Sequence, residues 1–124
     1  MFNSKKVDDL NEKLVNIISN IEQNNKEAYE ILNLAWNKLS KFEETYEIIR
    51  KENNNILPKS DVFTKAYNSI IQGWETIESF LKVLSDKNTN ILVKNNILFM
   101  FIDTIWSMIF SYSIMISEFQ KKTN

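Results

Sequence analysis

Apolar residues recur along this chain at alternating spacings of three and four, tracing four seams. Val7, Leu10, Leu14, Ile17 and Ile21 form the first, and Ala28, Leu32, Ala35, Leu39, Phe42, Tyr46 and Ile49 the second. Phe63, Tyr67, Ile70, Trp74, Ile77, Leu81 and Leu84 form the third, and Leu98, Ile102, Ile105, Ile109, Tyr112, Ile116 and Phe119 the fourth. Positions three and four apart share one face of a helix, so each seam predicts an amphipathic helix with that face turned inward. The clearest break is NNNILPK over 53–59, where three asparagines and Pro58 end one helix before Ser60 caps the next and Asp61 begins it. A second break, DKNTN over 86–90, precedes a helix starting at about Ile91. Ser4 is placed to cap the first helix, with Asp8 and Asp9 near the positive end of its dipole.

The first two seams are separated only by EQNNKE, which contains nothing apolar. The period carries across this gap, so pattern alone permits one helix over residues 5–52. Such a helix would run roughly 70 Å, against roughly 40 Å for each later one. A break at Asn24-Asn25 gives four comparable rods, with Asn24 as N-cap and Glu27 three residues on. The sequence therefore predicts an all-α fold, an antiparallel up-down four-helix bundle packed near 20° over the single domain 1–124. The alternative is three helices, the first of them long.

Ile97–Ile116 is the most apolar stretch, with fifteen apolar or aromatic residues in twenty and one charge, Asp103. Twenty such residues suffice to cross a bilayer, so the placement of the polar ones must decide. Asn96, Asp103, Thr104, Ser107, Ser111 and Glu118 fall within an arc of roughly 100° on a helical projection. A lipid-facing helix has no need to gather its polar groups, and an Asp near mid-membrane would cost about 2.5–3.5 kcal/mol. A bundle helix is the preferred reading and a membrane anchor at 97–116 the alternative. The remaining apolar face, roughly 260° wide, exceeds what an ordinary surface helix buries. Unless three neighbours cover it, Phe99, Phe101, Met108 and Met115 stay partly exposed. With Asp103, these residues form a candidate interaction surface for a partner or for a homodimer.

One glycine and one proline leave little turn chemistry for sheets, which supports the all-helical reading. The chain has no Cys and no His, removing thiol nucleophiles, thiolate and imidazole metal ligands and the commonest general base. Neither phosphate-binding glycine loops nor nucleophile elbows can be built with a single glycine. Net charge is −1 with basic residues dispersed among acidic ones, so no basic footprint for nucleic acid is present. Glu27 with Glu30, and Glu43-Glu44-Glu47, are the acidic groupings on helices; with Lys38, Lys41, Arg50 and Lys51 one turn away they read as solvated faces.

Trp36, Trp74 and Trp106 lie at similar distances from their turns, predicting a core layer of large side chains. Gly73, a mid-helix glycine costing about 1 kcal/mol relative to Ala, predicts close packing by a neighbouring aromatic. No apolar run follows the N-terminal lysines, so no secretory signal is expected and a cytoplasmic location is. The sequence predicts a non-catalytic protein, without cofactor or metal, acting by protein–protein contact. Small inhibitors, immunity proteins and accessory proteins of phages or plasmids are built this way, an analogy of fold and size.

Overall fold

A computed structural model describes residues 4–21 and 26–122, which form four helices joined in part by the connections 53–60 and 86–90: α1 (Ser4–Ile21), α2 (Lys26–Glu52), α3 (Asp61–Ser85) and α4 (Ile91–Lys122). No strand occurs among the described residues. The long N-terminal helix does not form. In a continuous helix Asn11 and Trp36 would stand about 38 Å apart; instead the Trp36 indole donates to Asn11 Oδ1 at 2.6 Å. The chain therefore folds back between α1 and α2. The expected cap at Asn24 lies outside the described residues, as do the side chains of Ser4, Val7 and Ile21.

The other helix ends are built as their residues dictate. Ser60 Oγ accepts from the backbone N–H of Phe63 at 3.1 Å, capping α3. α2 ends where Asn54 and Asn55 adopt left-handed φ values of 57° and 62°, a conformation asparagine tolerates better than most residues. The Asn55 N–H returns to the Arg50 carbonyl at 2.9 Å, closing the helix end. Asn90 Oδ1 accepts from the Leu92 N–H at 2.7 Å and caps α4.

Ring contacts fix the direction of each helix. Between α3 and α4, Phe63 meets Phe119 with centroids 5.6 Å apart and Phe80 meets Phe101 at 5.7 Å, an antiparallel pairing. Between α2 and α4, Trp36 meets Phe101 at 6.1 Å and Tyr46 meets Phe119 at 6.1 Å, so these neighbours run parallel. Successive helices alternate up and down, yet the order around the bundle is α1, α2, α4, α3. α2 and α3 face each other diagonally, and among the described residues their Cα atoms nowhere come within 8 Å. The gap between them is filled by two indoles: Trp36 and Trp74 meet edge to face at 5.9 Å and 85°. Both buried indoles are satisfied, Trp36 by Asn11 and Trp74 by donating to the Tyr112 hydroxyl at 3.0 Å.

The described parts of all four seams enter one core. α4 packs against α2 and α3, while α1 lies across α2 and α3 on the far side. Gly73 is indeed a point of close approach, but a methionine occupies it. A Cβ at Gly73 would lie 2.5 Å from Met108 Cγ and 2.6 Å from its sulfur.

Candidate interaction surface

α4 has two helical neighbours, and this decides which of its residues remain free. Of the five residues expected on an exposed surface, Phe99 (56 % exposed) and Asp103 are at the surface. Phe101, Met108 and Met115 are not, which corrects the expectation for these three. Phe101 lies between Trp36 and Phe80, and Met108 fills the space above Gly73. They point into the angle between α2 and α3, where a seam drawn only at three-four spacing omits them.

The solvent-facing arc of α4 is displaced from its polar arc. Ser111 and Glu118, at one edge of the polar arc, are buried. Glu118 accepts from Ser60 Oγ at 2.6 Å and pairs with Lys121 at 2.9 Å; the hydrogen bond first, and then the lysine, holds its carboxyl below the usual carboxylate range. In compensation, large apolar residues beyond the other edge stay in solvent: Leu92, Phe99, Trp106 (43 %) and Phe110 (67 %). Trp106 therefore does not join the core layer of Trp36 and Trp74. It sits at their level, but five positions after Phe101 a helix has turned about 140°, which carries the indole outward. The seven-residue spacing of Leu92, Phe99 and Trp106 was the available signal for this stripe.

α2 extends the same surface. Lys38 Nζ lies 5.3 Å from the centroid of the Trp106 ring, a cation–π contact that ties the two helices at this level. Leu34 and Ile31, one and two turns before Lys38 on the same flank, are both exposed. The outer α2–α4 face thus carries six large apolar side chains around one lysine and one aspartate. Asp103 makes no ion pair among the described residues.

Two concavities and one polar cluster offer less. A groove of about 320 Å³ between α1 and α3, lined by Leu10, Ile17, Leu81 and Lys82 among others, is the seam along which α1 docks. In a shallower one of about 490 Å³ at Pro58, Lys59, Ser60 and Lys121, the Ser60, Glu118 and Lys121 side chains are engaged with one another. On the flank of α2 turned toward α1, Glu43 is half-buried and its carboxyl is pushed up to about 7. Burial is the main cause, followed by repulsion from Glu47, Asp8 and Glu44, with Arg50 opposing. Nearby, the Tyr46 hydroxyl is buried without a hydrogen-bond partner among the described residues, and burial pushes its pKa up to about 12. No grouping of three or more Asp or Glu side chains able to hold a metal occurs among the described residues. Glu27 and Glu30 are exposed.

Comparison with protein-family models, with curated protein sequences and with solved structures finds no match to this chain in any of the three.

Proposed function

We propose that this is a non-catalytic protein that acts by protein–protein contact through the outer face of α2 and α4. The observation carrying this reading is the cluster of Ile31, Leu34, Leu92, Phe99, Trp106 and Phe110, exposed beside a core that closes without them. At 150–250 Å² for an aromatic side chain, and somewhat less for an aliphatic one, the cluster leaves roughly 600 Å² of apolar surface in water. Soluble monomers rarely expose contiguous patches beyond a few hundred Å² unless the patch is used. Aromatic residues are also the type enriched at the centres of protein interfaces.

The test is affinity capture from the cells that make the protein, comparing the native chain with Phe110→Glu. A protein retained by the native chain, an untagged copy of itself included, should be lost with the variant. Equal retention by both would remove this face from consideration, and retention of nothing would remove protein contact itself.

One observation favours a second reading, association with lipid. The segment Ile91–Lys121 is long and apolar enough to cross a membrane, although nearly half of its apolar window is buried in the bundle. Lying on a bilayer by the exposed stripe would keep the core intact, but would press Asp103 against the apolar region. Co-sedimentation of the native chain with vesicles, lost on Phe110→Glu, would favour this reading.

A further inference from the structure

Resting on the reading of this face as a protein contact, we propose that its occupant is a second copy of the chain, docked antiparallel about a two-fold axis. Phe99, Asp103, Trp106 and Phe110 fall within an arc of about 60° on α4, so they present one narrow stripe. An isologous contact requires that the stripe complement itself: if residue i meets residue j, then j must meet i about the same centre. Phe99 and Phe110 are centred midway between Thr104 and Ile105, and so are Asp103 and Trp106. Lys38 stands over Trp106 and therefore shares its level. A two-fold axis through that point brings Phe99 against Phe110 of the second copy. The same operation brings Asp103 to the level of Trp106 and Lys38 of the second copy, where the long lysine side chain can reach across the stripe to it, and each contact is made twice.

Charge supports the same occupant. The stripe holds one anion without an ion pair among the described residues and one cation held only over an aromatic ring. Two-fold rotation places opposite signs together, whereas an apolar bilayer or a wholly apolar partner would leave Asp103 unmatched. Area is also sufficient. Roughly 600 Å² from each copy gives about 1,200 Å² in total, the lower end of specific interfaces.

Sedimentation equilibrium of the full chain, from about 1 to 100 µM, tests this directly. The native chain should show a monomer–dimer equilibrium. Asp103→Lys and Lys38→Asp should each raise the dissociation constant about tenfold or more, because each puts like charges together twice. The double variant Lys38→Asp/Asp103→Lys should return to within about threefold of the native value. All these positions are exposed, so melting curves recorded well below the native dissociation constant, where every variant is monomeric, should stay unchanged and serve as the control for folding. A native chain that remains monomeric overturns the proposal, as does a dimer that Phe110→Glu leaves intact or a double reversal that recovers nothing. A monomer that still loses a foreign partner on Phe110→Glu would overturn only the second copy and leave the protein-contact reading standing.

Discussion

Replacing Gly73 by alanine should destabilise the native chain but stabilise a chain that has lost the Met108 side chain. Alanine gains about 1 kcal/mol over glycine in a helix interior. Against this, its methyl would lie 2.5, 2.6 and 3.1 Å from Met108 Cγ, Sδ and Cε. Ordinary carbon contacts are about 3.5–4.0 Å, so Met108 must retreat by about 1 Å. Met108 is 2 % exposed in the packed angle between α2 and α3, and overpacking of such a core costs about 1–3 kcal/mol. Gly73→Ala should therefore lose about 1 kcal/mol net. Met108→Ala removes a buried side chain and should lose about 2–5 kcal/mol. In the double variant the new methyl enters the vacated space, keeps its helical advantage and refills part of the cavity. The double should be about 1–2 kcal/mol more stable than Met108→Ala alone, giving a coupling energy of about 2–3 kcal/mol. Urea unfolding of the four proteins, read by far-ultraviolet circular dichroism at constant m, supplies the cycle. Additivity within about 0.5 kcal/mol, or a Gly73→Ala variant more stable than the native chain, would refute the close packing of these two residues.

Three further outcomes are expected. Glu43 has a folded pKa raised from 4.5 to about 7, so its protonated form is favoured in the fold; its contribution is full below pH 4.5 and is lost as pH rises toward 7. Glu43→Gln should flatten the stability–pH curve across that window and raise stability at pH 8 by about 1 kcal/mol, after discounting for solvent screening; an unchanged slope in urea titrations would refute it. Tyr46→Phe removes a buried hydroxyl that makes no hydrogen bond among the described residues, so stability should hold or rise by about 1 kcal/mol, and a loss above 1 kcal/mol would reveal a partner for that group. α1 buries Leu10 and Leu14 but, among the described residues, comes close to α2 and α3 along far less of its length than α3 and α4 do to each other, so amide exchange should be fastest in α1; uniform protection would contradict this.

Much of this arrangement is legible in the residues. The seams through Leu32, Trp74 and Ile105 are buried where their spacing places them, and Pro58 with the three preceding asparagines ends α2. The reversal of direction between α1 and α2 follows from matching rod lengths. Periodicity, however, describes one helix at a time and is silent on how many neighbours it has. Phe101, Met108 and Met115 are core because α4 sits in the angle of two helices, and Phe99, Trp106 and Phe110 are free because no third helix covers them. The burial of Glu118 was equally hidden, since its partner Ser60 is supplied by a loop 58 positions away. The sequence places Asp103 and Phe99 on the right side of α4, but it puts Trp106 in the core and singles out Phe110 for neither.

The diagonal placement of α2 and α3 makes the connection at residues 53–60 a determinant of topology. Neighbouring helices stand about 8–10 Å apart, so a diagonal is about 12–14 Å. Eight residues reach up to about 26 Å and cross it easily, but a two- or three-residue turn reaches only about 10 Å. Deleting residues 53–58 would leave a two-residue turn, pull α2 and α3 side by side, crowd Trp36 against Trp74 and expel α4 from the angle it fills. A short deletion in this one loop would thus rewind the same four helices into a differently ordered bundle, with a different face turned to its surroundings.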